Sequence, residues 1–195
     1  NNVYGSLWSK GIGISGYKLF KVFITKFTLS ALFITTIFVK TNIINMTTIK
    51  PGDKAPDFES INQNGEKIKL SDFNNKKLVL FFYPKANTPG CTLEACNLSD
   101  NYDRFKAKGY VILGVSADSP KRQLNFKNKF GFPYDLIADE DKKIINSYGV
   151  WGPKKFMGRE YDGIHRTTFI IDENGYVLDV ITKVKTKEHT SQILK

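Results

Sequence analysis

Both cysteines of the chain lie in one stretch, Pro84-Lys85-Ala86-Asn87-Thr88-Pro89-Gly90-Cys91-Thr92-Leu93-Glu94-Ala95-Cys96. The stretch follows an apolar run, Leu78 to Tyr83, that reads as a buried central strand closed by Pro84. A strand that opens through a loop into a helix is where α/β folds place ligands and reactive groups. Cys91 falls in the first turn of that helix, where free backbone N–H groups and the macrodipole favour an anion. The sequence therefore positions Cys91 to react as a thiolate, a nucleophile and a redox centre. The bland alternative is a pair of buried structural cysteines on one helix. The Pro, Thr, Pro and Gly that precede Cys91 in the loop argue against it.

Cys96 is five residues further on. In a regular helix the two Cα atoms differ by ~7.5 Å in rise and ~140° in rotation, whereas a disulfide needs Cα atoms within ~6.8 Å. A Cys91–Cys96 bridge thus requires the first turns to unwind, a redox-driven local unfolding rather than a static staple. A four-ligand zinc site would consume every Cys and His of the chain, which has two of each. No motif for a metal, flavin or haem is present, and no cofactor is expected. Two cysteines also exclude a disulfide-rich scaffold.

The elements that must hold this loop are legible in outline. Phe58 to Leu70 reads as a hairpin turning at Asn64-Gly65. Leu93 to Lys108 reads as a helix closed by Gly109, and Tyr110 to Ala117 as a second buried strand. Ser119-Pro120 starts a helix that runs to about Phe130. Leu136 to Ala138 is a short strand and Glu140 to Tyr148 a short helix. Trp151 to Gly158 reads as a loop, placed to flank the site or dock a reductant. Arg166 to Asp172 and Tyr176 to Lys183 form two antiparallel strands around Glu173-Asn174-Gly175, and the tail from Thr186 starts a final helix. Strands alternating with helices and closed by an antiparallel pair predict an α/β fold. Its mixed central sheet is flanked by helices in a single domain.

The chain has 195 residues, 41% of them hydrophobic and 25% charged, enough for one cored domain with an extension. Net charge is +10. Residues 1–45 hold five lysines and no acid, so 46–195 carries 24 basic against 19 acidic residues, an ordinary excess that gives no ground for nucleic-acid binding. Residues 27–39 are thirteen uncharged residues between Lys26 and Lys40, short for a membrane span of ~20. Three readings of 1–45 stay open: upstream sequence before a start at Met46, a signal or membrane anchor, and an organelle-targeting leader. In each of them 1–45 is an N-terminal extension outside the fold, and 46–195 is the folded domain.

The string Pro84-x-x-x-Thr88-x-x-Cys91 matches the P-x-x-x-[TS]-x-x-C signature of peroxiredoxins. Phe81-Phe82-Tyr83-Pro84 through Cys91-Thr92-Leu93-Glu94-Ala95-Cys96 resembles the peroxiredoxin Q, or bacterioferritin comigratory protein, branch. The resemblance spans about 46–195, from Pro51-Gly52-Asp53-Lys54-Ala55-Pro56-Asp57-Phe58 through Gly114-Val115-Ser116-Ala117-Asp118 to Arg166-Thr167-Thr168-Phe169. It implies a thioredoxin-like fold and reduction of hydrogen peroxide and alkyl hydroperoxides by an atypical 2-Cys mechanism. It makes Cys91 the peroxidatic and Cys96 the resolving cysteine. Thr88 would hydrogen-bond the thiolate and the bound peroxide, Pro84 would shield the site from water, and Arg166 would supply a fixed positive charge. The sulfenic acid formed on Cys91 would condense with Cys96 to an intramolecular disulfide. Thioredoxin or a similar dithiol would reduce that disulfide.

The resemblance further implies a monomer in antioxidant defence. A cytoplasmic setting suits a disulfide that must be recycled; organelle targeting or membrane anchoring would follow only from residues 1–45. Glu94 is expected to serve the helix N-terminus by its charge, without a catalytic role, and the lone His165 is given none. The competing enzyme reading is a thioredoxin-type thiol–disulfide oxidoreductase, which the C-x4-C spacing disfavours against C-x-x-C. A binding protein that works through its basic leader is the reading from another class.

Overall fold

The structure, a computed structural model, describes residues 47–195. The extension expected over 1–45, with its three readings, lies outside the described residues.

Continuous apolar runs form the centre of the sheet because both of its faces are covered. Strand β3 (Lys77–Phe82) lies between β4 (Tyr110–Ser116), which runs parallel to it, and β8 (Thr167–Ile171), which runs antiparallel. Strand β5 (Asp135–Ala138) extends the sheet parallel to β4, and β9 (Val177–Ile181) extends it antiparallel to β8. The order β5-β4-β3-β8-β9 is the expected mixed sheet. The period of two along β3 divides the core. Leu78, Leu80 and Phe82 face one side, with Phe169, Ile171, Ile145 and Tyr148. Val79, Phe81 and Tyr83 face the other, with Leu98, Phe105 and Phe126 from the helices. Each such side chain contributes roughly 1.5–3 kcal/mol by leaving water.

Gly114 is required where β4 crosses Phe81. A Cβ there would lie 2.7 Å from Leu136 Cδ2 and 2.8 Å from the Phe81 ring. Ring and strand share that space only because residue 114 has no side chain.

The small hairpin is found at β1 (Glu59–Ile61) and β2 (Lys67–Lys69). Helix α3 (Pro120–Phe130) follows Ser119 and ends on Gly131, whose φ of 66° lets its N–H reach Lys127 O at 2.8 Å.

Three expectations are corrected. The helix placed over Leu93 to Lys108 is two helices, α1 (Pro89–Asp100) and α2 (Tyr102–Ala107), broken at Asn101. Its start moves back because extended Thr88 hands over to Pro89, whose fixed φ suits a first helical position. The helix expected over Glu140 to Tyr148 is α4 (Lys143–Ser147). The Asp139 carboxylate accepts from Lys143 N at 3.0 Å and Ile145 N at 2.8 Å, and so sets the start. Trp151 to Gly158 is not a loop. Strands β6 (Trp151–Phe156) and β7 (Arg159–Ile164) form a hairpin turning at Met157-Gly158, both at positive φ. The final helix is short, α5 (His189–Ile193).

Candidate active site

The sheet register explains how residues far apart in sequence meet. Phe82, the last residue of β3, pairs with Thr167, the first of β8. The loop leaving β3 toward α1 therefore starts beside Arg166, which immediately precedes β8. Cys91 is the third residue of α1, in its first turn as expected, and is 2% exposed. Arg166 Nη2 donates to Cys91 Sγ at 3.2 Å across 75 residues of chain. A guanidinium cannot deprotonate in this setting, so a fixed positive charge faces a sulfur at a helix N-terminus.

The other side of the guanidinium holds Glu94. Arg166 Nη1 donates to Glu94 Oε2, and Glu94 is fully buried. Burial raises the Glu94 pKa to about 7, although the Arg166 charge and hydrogen bond pull it down. Burial also opposes the Arg166 charge, but Glu94 and Cys91 more than offset this and hold its pKa above the ordinary value. Glu94 is thus no solvent-facing charge at the helix start. It is a buried acid that fixes the guanidinium next to Cys91. Its second oxygen, Oε1, has no hydrogen-bond partner and lies 3.7 Å from Nε2 of the buried His189. That imidazole is hydrogen-bonded to Thr168 Oγ1 at 2.8 Å and Gln192 Oε1 at 3.1 Å. Burial, with the nearby Arg166 charge adding to it, holds the His189 pKa down at about 4.

A second network fixes the loop. Asp118, two residues past the end of β4, accepts from Ala86 N at 2.7 Å and Ser116 Oγ at 2.8 Å, and Arg122 Nε lies 3.0 Å from its other oxygen. Gln123 on α3 donates to Ser116 Oγ and to Ile137 O, both at 2.8 Å, and accepts from Tyr83 Oη. These buried bonds clamp the segment that carries Pro84 and Thr88. Pro84 is half-buried directly after β3. Thr88 precedes α1, but its hydroxyl donates to Lys85 O at 2.9 Å. The expected Thr88 hydrogen bond to Cys91 is not made here, because the hydroxyl serves the turn.

Cys96 lies on the same helix, half-buried against the aromatic cluster of the α1 face, and both thiols are free. Burial, and then the Asp100 charge, push its thiol pKa up. Helix geometry places the two Cα atoms ~8.7 Å apart, beyond disulfide reach.

The β6–β7 hairpin contributes Lys154, which no sequence motif marks. Lys154 Nζ donates to Ile164 O at 3.0 Å. Burial and the Arg166 charge lower its pKa, against the pull of Cys91. Among the described residues no cluster of three or more His, Cys, Asp or Glu side chains is placed to hold a metal, and no helix is long and apolar enough to cross a membrane.

Residues 51–180 match the AhpC/TSA family. Peroxiredoxin Bcp of Escherichia coli is 44% identical over 149 residues, covering 76% of this chain and 96% of the relative. The crystal structure of peroxidoxin BcpB from Mycobacterium tuberculosis is similar, with a TM-score of 0.67 and 35% identity. That match covers 75% of this chain and 94% of the other. A bacterioferritin comigratory protein from Xanthomonas campestris, solved for insight into its alkyl peroxide reduction activity, matches with a TM-score of 0.68 and 32% identity. It covers 76% of this chain and 95% of its own.

Proposed function

The chain belongs to the AhpC/TSA family as a peroxiredoxin of the Bcp/peroxiredoxin Q kind, a thiol-dependent peroxidase, and we propose that Cys91 is its peroxidatic nucleophile. The observation that carries this is Arg166 Nη2 at 3.2 Å from a buried sulfur in the first turn of α1. The thiolate attacks one oxygen of a hydroperoxide. The S–O bond forms as the O–O bond breaks, and the departing alkoxide or hydroxide takes a proton to leave as alcohol or water. Negative charge moves from sulfur to the leaving oxygen, and a guanidinium held by Glu94 is preorganised to follow it. Pro84 limits water at the sulfur. Thr88 orients the peroxide once its hydroxyl turns from Lys85 O.

Cys96 resolves the sulfenic acid. It can do so only after α1 unwinds locally, because the folded helix keeps the two thiols apart. The product is an intramolecular disulfide that an external dithiol, thioredoxin or a similar protein, reduces by exchange. Hydrogen peroxide and alkyl hydroperoxides are the substrates. The relative from Xanthomonas campestris, described by its alkyl peroxide reduction activity, supports the second. The cycle closes within one chain, which suits a monomer in a reducing compartment such as the cytoplasm. Residues 46–195 carry the activity, and 1–45 is an extension to it.

The test is peroxide consumption coupled to thioredoxin, thioredoxin reductase and NADPH. Cys91→Ser is expected to abolish it, and Cys96→Ser to leave one turnover unless a small thiol is added. Insulin reduction with no peroxide consumption would instead favour a disulfide reductase.

A further inference from the structure

The C-terminal helix is fastened to α1 at the residue next to Cys96. Asn97 Nδ2 donates to Lys187 O at 2.9 Å, Thr190 N donates to Asn97 Oδ1 at 2.8 Å, and Thr190 Oγ1 donates to Asn97 O at 3.0 Å. Thr190 is buried. The carbonyl of Asn97 also accepts from Asn101 Nδ2 at 2.8 Å, while the Asn101 backbone N–H turns to Ser99 O. On the other side of Cys96, the buried Tyr134 hydroxyl donates to Ala95 O at 2.7 Å. Groups outside α1 thus hold the helical turn on both sides of this cysteine.

We propose that Asn97 and Thr190 are positioning residues for the resolution step, a clamp between α1 and the C-terminal segment that sets how fast Cys96 reaches Cys91. This rests on Cys96 being the resolving thiol. In the step itself Cys96, as thiolate, attacks Cys91 Sγ. The S–S bond forms, the S–O bond of the sulfenic acid breaks, and the departing hydroxide combines with the proton released by Cys96 to give water. The two Cα atoms must approach from ~8.7 Å to within ~6.8 Å. While Asn97 is bonded to Lys187 and Thr190 the turn carrying Cys96 is held in place, so the whole approach falls to the Cys91 end of α1. The clamp stabilises the helix in which the thiols are apart, so its bonds are part of the barrier to closure. It lengthens the life of the sulfenic acid, and with it the time in which a second peroxide carries Cys91 on to sulfinic acid.

The full chain and two variants test this. Thr190→Val removes the bond to Asn97 O without altering α1, and that carbonyl keeps its bond from Asn101. Asn97→Ala removes the two side-chain bonds and introduces a better helix former, so faster closure there would arise despite propensity. Each protein is mixed with one equivalent of hydrogen peroxide, quenched with dimedone at intervals and read by mass spectrometry. Sulfenic acid should form at the unaltered rate in both variants, which also reports that the site is folded. It should disappear about three- to tenfold faster, as expected for losing one or two neutral hydrogen bonds. The sulfinic fraction under excess peroxide should fall in step. Cys96→Ser is run alongside. If it does not prolong the sulfenic acid, the resolving role itself fails. If it does, yet both clamp variants close at or below the original rate, the clamp is overturned.

Discussion

Replacing Arg166 with Met tests the electrostatics of the site, because one guanidinium serves two partners. At 3.2 Å from Sγ, a unit charge pair is worth about 5 kcal/mol at an effective dielectric of ~20. Net of hydration, a charge-assisted hydrogen bond contributes ~1.5–3 kcal/mol. A loss of about 3 kcal/mol in the attack on peroxide corresponds to roughly a hundredfold fall in the second-order rate constant. Arg166→Lys should lose about tenfold, since one ammonium cannot reproduce the fork that reaches both Cys91 and Glu94. Stability should respond separately. Without Arg166 the buried Glu94 carboxylate has no counter-charge, so Arg166→Met should unfold more readily at pH 8 than at pH 6, where Glu94 takes up a proton. Adding Glu94→Gln should restore stability and leave the rate low. Stopped-flow peroxide kinetics and urea titrations of the three proteins supply the numbers. A folded Arg166→Met protein that reacts within about fivefold of the original would mean that the guanidinium does not stabilise the attack on peroxide.

Glu94 and His189 also predict how stability follows pH. Folded Glu94 keeps its proton up to about pH 7 against an ordinary 4.5, so its contribution is full below pH 4.5 and is lost as pH rises through 7. Folded His189 resists protonation down to about pH 4 against an ordinary 6.5, so its contribution is full above pH 6.5 and is lost as pH falls toward 4. The two oppose each other between about 4.5 and 6.5, and urea titrations of Glu94→Gln should show stability rising more steeply with pH there than in the original chain. Asp118→Ala frees the Ala86 N–H and the groups behind it. It should cost ~1–3 kcal/mol and slow peroxide attack about tenfold as the Pro84–Thr88 loop loosens, both readable by thermal melts and stopped flow. Gly114→Ala forces a methyl against Leu136 and Phe81. Overpacking of this kind costs ~1–3 kcal/mol and should lower the melting temperature with little change in the rate constant.

The sheet was legible where burial was uniform. Leu78 to Tyr83 and Tyr110 to Ala117 announce themselves because both faces of those strands are covered. Ser119-Pro120 marks the start of α3 by local backbone chemistry that needs no tertiary context. The β6–β7 hairpin gave no such signal. Pro153, Lys154, Lys155, Glu160 and Asp162 sit within it, and residues 159–162 are exposed, so no alternation of apolar and polar positions marks the pairing. The site divides in the same way. The spacing of Thr88, Cys91 and Cys96 is local and readable. The burial of Glu94 is not, since an acid on a helix ordinarily faces water, and its partner lies 72 residues away. His189 is a lone histidine near the C-terminus, and only the packing of α5 on α1 brings it to Glu94. Thr88 shows the opposite limit: the motif supplies the residue, while the direction of its hydroxyl depends on the turn it closes.

Mapping of the disulfide after a single oxidation tests whether Cys96 resolves Cys91 through local unwinding of α1. The reduced chain is treated with one equivalent of hydrogen peroxide, remaining thiols are blocked, and the peptides are weighed. A Cys91–Cys96 bridge within one chain is expected, formed together with a loss of helical signal from α1, and neither event in Cys91→Ser. Both thiols recovered unmodified while peroxide is consumed, or a bridge that forms with α1 intact, would contradict it.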